Sequence, residues 1–511
     1  MTLASLPTEL LLIIFRNVFA SQYSTCSSSS CYTCFRIGLN HVAWGPTQSF
    51  NPSDPTLFPF ALAAVLPHWR EVLSTVPEYW TRPVFFLDGA TADIDVAEIL
   101  MYSKNLPLEV YVTRRTFPHE GDIAGQEHAG GARVEARRMC EVMDKLKPHL
   151  SRCQYIFIHT LRSSSLPSLR HDFSSHCPFL TQLKLECNID DGLNILVHDQ
   201  HPPSEQFTCP VIYTLLIDGP NFREIVMKGH KTWWINAFKS VRTLRIQNLT
   251  ATSGAPVQYV PALECISMSA LPYLSTLVLS NVAFDNVPTA RVNPGVPYYT
   301  FALNMLILSS MSFSFLSHFF QYSFLGDLYN IRLEACGTTQ EDQTNTHIYT
   351  PLPTTFSLTL QNLSHPRHLI ELLRTWNGRR LNLVSCPGFD DSVLEMMQEP
   401  LDSTTTLFGC PHLSVLYLSD CTNFTPAGLI NMLYARNGTC EFDADNEVAS
   451  APATGPVIGG TGAGDGGVIE LVTVTGNAPT LTNSERRDFE KINVIHWKSG
   501  SVEGDDEHAK T

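Results

Sequence analysis

Charged residues are scarce in this sequence, and long apolar runs are absent from it. Asp, Glu, Lys and Arg make up 16% of its 511 residues, whereas about 25% is usual in globular proteins. No apolar stretch reaches the roughly 18 residues that a membrane-spanning helix requires, so we expect no membrane partner. The 44% apolar content is nevertheless enough for a large core and excludes a chain that is disordered throughout.

Basic residues are the scarcer of the two charge types. The chain has 34 Lys and Arg against 49 Asp and Glu, which gives a formal net charge of -15 at pH 7. A chain of this charge repels phosphate backbones on average. We therefore expect protein partners and no nucleic acid.

The cysteines lack the repeated spacing that marks a disulfide framework. All 14 of them are therefore expected to be thiols in a reducing compartment. The N-terminal apolar run Leu10–Phe15 has no basic leader and is followed by Arg16, which is a poor match to a signal peptide. These features predict a cytoplasmic or nuclear location, or both.

Common catalytic motifs are also missing. The sequence has no phosphate-loop Gly-Lys-Ser/Thr, no His-Glu-x-x-His and no Gly-x-Ser-x-Gly. Gly462-x-Gly464-x-x-Gly467 has the letters of a dinucleotide-binding loop, but it leads into the strand-like run Val468–Leu471 instead of a helix. We predict a non-catalytic protein without a cofactor, although a catalytic set assembled from distant loops would leave no such signature.

One cluster of cysteines has the spacing of metal ligands. Cys26, Cys31 and Cys34 begin like a plant-type iron–sulfur motif, but the next cysteine is Cys140, so a fourth cluster ligand is not nearby. Together with His41 the three thiols form a possible zinc set, and this alternative stays open. Unliganded thiols are the favoured interpretation, and we predict no metal site.

The first ninety residues show helical periodicity that is interrupted by a polar segment. Leu10, Ile13, Ile14 and Phe15 recur at helical spacing. Residues 21–56 are rich in Ser, Cys, Asn and Pro, which predicts a long loop. Helical periodicity resumes at Leu57. The pattern therefore predicts a small helical unit with a loop insertion.

Three short motifs follow one another within residues 3–83. They are Leu6-Pro7-x-Glu9-Leu10-x-x-Ile13-x-Phe15, Trp69-Arg70 and Ser74-Thr75-x-Pro77-x-x-Trp80. This ordered set resembles the F-box of fungal F-box-like proteins, a helical domain that binds the adaptor subunit of a cullin-based ubiquitin ligase. The resemblance implies that the adaptor is contacted by Leu6, Pro7, Glu9, Leu10, Ile13, Phe15, Val65 and Trp69.

The rest of the chain repeats one pattern of alternating aliphatic residues. Three copies match the leucine-rich-repeat core in full: Leu180-x-x-Leu183-x-Leu185-x-x-Asn188, Leu328-x-x-Ile331-x-Leu333-x-x-Cys336 and Leu413-x-x-Leu416-x-Leu418-x-x-Cys421. Seven copies are partial: Cys153/Ile156/Ile158, Ile212/Leu215/Ile217, Val241/Leu244/Ile246, Leu274/Leu277/Leu279, Leu303/Leu306/Leu308, Thr355/Leu358/Leu360 and Gly378/Leu381/Leu383. Successive copies start 23 to 35 residues apart, near the family period of about 20–29 residues with insertions.

The alternation in each copy has a direct structural meaning. Side chains two residues apart in a strand face the same side, so both aliphatic residues enter a common core while the residue between them faces out. The Asn or Cys is expected to close the following turn. The segments that begin at Cys386 and Cys421 resemble the cysteine-containing repeats of F-box/leucine-rich-repeat proteins, and we interpret their thiols as structural.

These patterns predict an α/β fold, in which a short N-terminal helical F-box-like module precedes an irregular leucine-rich-repeat solenoid with a parallel sheet. The predicted domains are the F-box-like unit at 1–90, a linker strand and helix at 91–150, the array at 151–440, and a Gly-rich, acidic and partly disordered segment at 441–511. One last strand is predicted at 468–474. The aromatic residues of Trp233-Trp234 and Phe313–Phe324 are interpreted as core.

The resemblance implies the substrate-recognition subunit of an SCF-type ubiquitin ligase, which joins a cullin through its adaptor. A target protein would then bind the concave face of the array. The outward row of that face comprises Lys184, Leu216, Arg245, Val278, Ile307, Arg332, Thr359, Asn382 and Tyr417. Its apolar centre and bordering arginines suit a target with a hydrophobic anchor and acidic flanks. The alternative is a non-ligase interaction scaffold, in which the N-terminal module only caps the solenoid.

Overall fold

The fold is known from a computed structural model, which divides the chain into two compact units. The first comprises Met1–Arg242 and Ala251–Pro256, and the second comprises Thr243–Thr250 and Val257–Thr511. The structure describes residues 6–22, 52, 54, 57–88, 96–117, 129–169, 172–173, 177–189, 191, 212–227, 231–249, 259–282, 299–326, 328–337, 352–398, 409–437, 468–492 and 495–499.

Both units contain helices and strands. The helices are α1 Thr8–Gln22, α2 Phe60–Ala63, α3 Pro67–Ser74, α4 Val96–Tyr102, α5 Ala129–Leu146, α6 Gly219–Met227, α7 Lys231–Phe238, α8 Tyr259–Ile266, α9 Phe313–Tyr322, α10 Pro366–Thr375, α11 Asp391–Gln398, α12 Pro426–Asn437 and α13 Asn483–Ile492. Short 3-10 helices span Pro77–Trp80, Lys147–Arg152 and Ser163–Ser165. The strands are β1 Val84–Phe86, β2 Leu108–Thr113, β3 Cys153–Arg162, β4 Gln182–Ile189, β5 Thr214–Asp218, β6 Thr243–Leu249, β7 Thr276–Val282, β8 Tyr299–Thr300, β9 Met305–Ser309, β10 Ser323–Phe324, β11 Asn330–Glu334, β12 Ser357–Gln361, β13 Arg380–Val384, β14 Val415–Ser419, β15 Leu471–Gly476 and β16 Ile495–Ser499.

The predicted mixed α/β architecture with a large parallel sheet is confirmed. Among the described residues, fourteen parallel strands follow the order of the chain, and β8 and β10 form a separate pair. The first unit holds β1–β5 and the second holds the other nine. Each of the ten predicted copies contributes one strand, and these are β3, β4, β5, β6, β7, β9, β11, β12, β13 and β14.

The paired aliphatic side chains of the copies form the core of each unit. In β4 both Leu183 and Leu185 are fully buried, and in β12 the same holds for Leu358 and Leu360. The residue between each pair is accessible in most strands, as the period of two requires. The alternation predicted from sequence therefore sets which side chains are buried.

Strands of the second unit end in a repeated left-handed turn. The residue two positions after the second buried side chain has φ between 48° and 57° in seven strands: Asn248, Asn281, Ser310, Ala335, Asn362, Ser385 and Asp420. Asn and Asp adopt this region more readily than other residues with a Cβ, and Gly476 occupies the same position after β15. The N–H groups of five of these residues still donate to the next strand, so the turn leaves the hydrogen-bonded ladder intact.

The cysteines that follow this turn are structural, as predicted. The Sγ of Cys386 lies 3.3 Å from the carbonyl oxygen of Leu360 in the preceding strand, and Cys336 repeats this contact with Leu308 at 3.3 Å. Burial raises the pKa of Cys386, and it raises the pKa of Cys421 to about 12. A thiol of that kind stays protonated near neutral pH and is a poor metal ligand or nucleophile.

In the first unit the predicted turn at Asn188 is wrong. The strand β4 runs on to Ile189, and Asn188 lies inside it with an exposed side chain. Its Oδ1 is 2.6 Å from Nε2 of His159, a residue of the longer strand β3. Cys187 occupies the position of the left-handed residue of the second unit but does not have a positive φ, so the turn is absent there.

Parallel strands also lie outside the predicted limits of the array. The strands β1 and β2 precede residue 151, and β15 and β16 follow residue 440. The strand predicted at 468–474 is β15, whereas β16 was not predicted. All six residues of β2 are buried, so this strand has no alternation for a sequence pattern to reveal.

Helices α1 to α3 and the 3-10 turn Pro77–Trp80 pack around an aromatic core. The rings of Phe15 and Trp69 meet edge to face with centroids 5.5 Å apart. The rings of Phe19 and Tyr79 lie 5.1 Å apart. The Nε1 of Trp80 donates to the carbonyl oxygen of Leu73 at 3.0 Å, so the fully buried indole is satisfied.

Candidate functional site

The predicted outward row of the second unit is aligned by strand register. Parallel pairing places Arg245 opposite Val278 and Val278 opposite Ile307. The row then continues without a shift through Arg332, Thr359, Asn382 and Tyr417. It extends further than predicted, to Thr473 and His496. Because paired residues of a parallel ladder face the same side, these side chains share one surface.

The corresponding register row of the first unit is mostly buried. Register joins Val84, Tyr111, Phe157, Lys184 and Leu216. Lys184 places its Nζ 5.6 Å from the ring centre of Tyr155, a cation–π contact. Leu216 is buried, as are Val84 and Tyr111, so these side chains are not accessible to a partner.

A surface pocket of about 460 Å³ lies on the outward face of the second unit. Its walls come from two adjacent register rows, the outward row already described and the row at the first position of each strand. The lining residues are Met305, Ile307, Asn330, Ile331, Arg332, Ser357, Thr359, Arg380, Asn382 and Tyr417. The lining contains two arginines and no carboxylate. We call it the arginine pocket.

Arg332 is held in place by its neighbours on one side only. Its Nη2 donates to Oε1 of Gln361 and lies 3.4 Å from Oε2 of Glu334. Glu334 in turn accepts from the Ser309 hydroxyl at 3.3 Å. The Arg332 side chain is 43% exposed. The guanidinium is therefore oriented by polar contacts while much of it remains accessible.

Arg380 is positioned by aromatic rings. Its guanidinium carbon lies 5.9 Å from the ring centre of Phe356 and 5.7 Å from that of Tyr417. The ring of Phe356 stacks on Tyr329 with centroids 4.7 Å apart. Sequence reasoning missed Arg380 because it occupies the first position of a strand and not the central one. The available signal was a second outward arginine two strands away from Arg332 and displaced from it by two residues in register.

The predicted adaptor-contact residues divide between the surface and the core. Leu10 and Ile13 are 47% and 57% exposed, and Val65, which follows α2, is 56% exposed. Pro7 and Glu9 are also exposed, and Leu6 is half-buried. Phe15 and Trp69 do not belong to this surface, because each is buried against the other.

Helix α1 has apolar side chains on two opposite sides. Leu11 and Phe15 are buried in the unit. Leu10, Ile13 and Ile14 form a second stripe at i, i+3, i+4 spacing, and each is between 43% and 57% exposed. We call this stripe the α1 surface. A helix that only caps a core needs one apolar side, so the α1 surface is not accounted for by packing within the described structure.

The remaining sequence candidates give no second site. Among the described residues, no three His, Cys, Asp or Glu side chains lie close enough together to hold a metal ion. The proposed zinc set Cys26, Cys31, Cys34 and His41, and the glycine motif 462–467, lie outside the described residues. In the described part of the chain, no helix is both long enough and apolar enough to span a membrane.

The aromatic residues interpreted as core are mostly buried. Trp234 and Phe319 are fully buried, whereas Trp233 is half-buried. Phe324 is the exception, because its ring is exposed at β10. The aromatic run is therefore a packing element of α9 and not a binding platform.

No protein-family model matches the chain, and no curated protein matches it.

Proposed function

We propose that this protein is the substrate-recognition subunit of a cullin-based, SCF-type ubiquitin ligase. The observation that carries the proposal is the α1 surface, which presents aliphatic side chains to solvent at the position of the Leu-Pro motif. These side chains are already about half buried, so completing the burial of each in an interface is worth about 0.7–1.5 kcal/mol, half the value for a fully exposed side chain. The ligase adaptor is the partner that the F-box resemblance implies for this surface.

The outward row of the second unit supports the other half of the proposal. Val278 and Ile307 form its apolar centre, with Arg245 and Arg332 on the two sides. Interfaces of this composition use a buried apolar anchor inside a polar border. We assign this row to a target protein whose anchor is flanked by acidic residues.

The proposed role requires no bond chemistry from this chain. One surface holds the adaptor and the other holds the target, so the target's effective concentration rises near the ubiquitin-carrying enzyme of the complex. The burial that raises the pKa of the repeat cysteines is consistent with such a passive role.

The proposal is tested by binding of the full-length chain to purified adaptor. Replacing Leu10 and Ile13 together by Glu places charges in the contact, and we expect affinity to fall by about tenfold or more. Both side chains are already exposed, so the fold should be retained. The matched control is Met101→Glu, which charges an exposed apolar residue of α4 in the same unit.

Two results would contradict the ligase proposal. One is that the parent chain fails to bind the adaptor at micromolar concentrations. The other is that the double variant binds as tightly as Met101→Glu and the parent. Either result would favour the interaction-scaffold alternative, in which the N-terminal helices only cap the array.

A further inference from the structure

The floor of the arginine pocket is rich in hydrogen-bond donors. The Asn382 Nδ2 donates to the Thr359 hydroxyl oxygen at 3.1 Å and to the Ser357 hydroxyl oxygen at 3.5 Å. Each hydroxyl oxygen thus acts as an acceptor, which leaves its hydrogen free to donate. No described residue accepts either hydrogen, so both hydroxyl groups are available to a bound acceptor.

The two arginines add further donors to the same pocket. The Arg332 Nε is buried and makes no hydrogen bond within the described part of the chain. Arg380 contacts Phe356 and Tyr417 through its guanidinium face, and a cation–π contact leaves the N–H groups at the guanidinium edge free. No described carboxylate forms an ion pair with Arg380. Its charge is therefore available to a ligand.

Strand geometry brings these donors around one point. Arg332 is on β11 and Arg380 is on β13, with β12 and its Ser357 and Thr359 between them. Two strand spacings and a two-residue offset separate the arginine Cα atoms by roughly 12 Å. Long side chains from both ends can therefore converge over the β12 hydroxyl groups.

We propose that the arginine pocket binds an oxyanion carried by an extended peptide of the target protein. Two arginines and two hydroxyl donors complement a phosphate or carboxylate group, because charge-assisted hydrogen bonds to such groups are strong and arginine offers a matching fork. A neighbouring apolar side chain of the peptide packs on Met305 and Ile307, which line the same pocket.

Charge favours a single oxyanion over a polyanion. The chain carries a net charge of -15, so a nucleic acid or polyphosphate is repelled on average by its surface. A peptide places only one charged group there. The identity of the peptide as part of a ubiquitination target rests on the proposed function.

The proposal is tested with three fluorescent peptide libraries and the purified full-length chain, without adaptor. The libraries differ at one fixed position, which carries phosphoserine, glutamate or serine. All three have leucine two residues from that position, because alternate side chains of an extended peptide face the same side. We expect at least one anionic library to bind about tenfold or more tightly than the serine library. Preference for phosphoserine identifies phosphate as the group, and equal binding of phosphoserine and glutamate identifies a general oxyanion site.

Matched arginine variants assign that preference to the pocket. Replacing Arg332 and Arg380 together by Gln should reduce anionic peptide binding to the level of the serine library. Arg379→Gln is the control, because Arg379 is exposed, lies next to Arg380 in sequence and is outside the pocket lining. Thermal unfolding of each variant checks that the fold is retained.

The inference is overturned if the serine library matches both anionic libraries, including the case in which none binds. It is also overturned if the folded double variant keeps the anionic preference. Because the adaptor is absent from this measurement, either failure leaves the adaptor-binding proposal untouched.

Discussion

Replacing Glu109 by alanine is expected to lower the free energy of unfolding by about 3–5 kcal/mol. Glu109 on β2 places its Oε2 2.9 Å from Nε of Arg82, and each side chain is only 7% exposed. Removal of the carboxylate leaves a guanidinium charge in a site that water barely reaches. Chemical denaturation followed by circular dichroism measures the loss.

The buried pair itself is expected to contribute much less than this loss. Burial raises the pKa of Glu109, and the Arg82 charge only partly opposes that rise. A carboxyl group with a raised folded-state pKa favours folding at low pH and loses this contribution as pH rises through the folded-state value. Above its folded-state pKa the carboxylate is therefore held at a desolvation cost.

Two controls separate the effect of the buried charge from a general loss of packing. The double variant Arg82→Met/Glu109→Leu removes both charges and should stay near the parent in stability, as apolar replacements of buried pairs often do. Glu371→Ala breaks the pair with the 57%-exposed Arg367 on α10 and should cost under about 1 kcal/mol. A Glu109→Ala effect as small as that of Glu371→Ala would contradict the argument.

The second large effect is expected from one position of the aliphatic core. Leu360→Ala should lower the free energy of unfolding by about 2–5 kcal/mol, because this fully buried side chain leaves a cavity. The adjacent Thr359 faces the opposite side of β12, where its hydroxyl accepts a hydrogen bond from Asn382, so Thr359→Ala should lower stability by only about 0.5–1.5 kcal/mol. Equal losses at the two positions would show that β12 does not alternate between core and surface. Urea unfolding of both variants provides the comparison.

The repeated strands could be predicted because their signal is local and is repeated many times. A period of two needs only five residues to show itself, and ten copies fix the same phase. That phase also determines the outward row, so the sequence alone predicts that Ile307, Arg332 and Tyr417 share one surface. The left-handed turns were not predicted, because Ser310 and Ala335 carry no side-chain preference for positive φ.

Other features depend on contacts that no local pattern records. The run Leu10–Phe15 contains both exposed and buried members, and only its packing against Trp69 separates Phe15 from Leu10. The strand β2 lacks alternation because both of its faces are covered. Arg380 belongs to the site because register places the first residues of the strands in a row beside the central row, which no local pattern indicates.

The central claim is that alternate aliphatic residues build the core while the side chains between them stay open for recognition. Hydroxyl-radical footprinting of the full-length chain with mass spectrometry tests it most directly, since oxidation rates report side-chain accessibility. After correction for intrinsic reactivity, Ile307 and Val278 should be oxidised several times faster than Leu308 and Leu279, which are fully buried. Equal protection of all four, or faster oxidation of the leucines, would contradict the account.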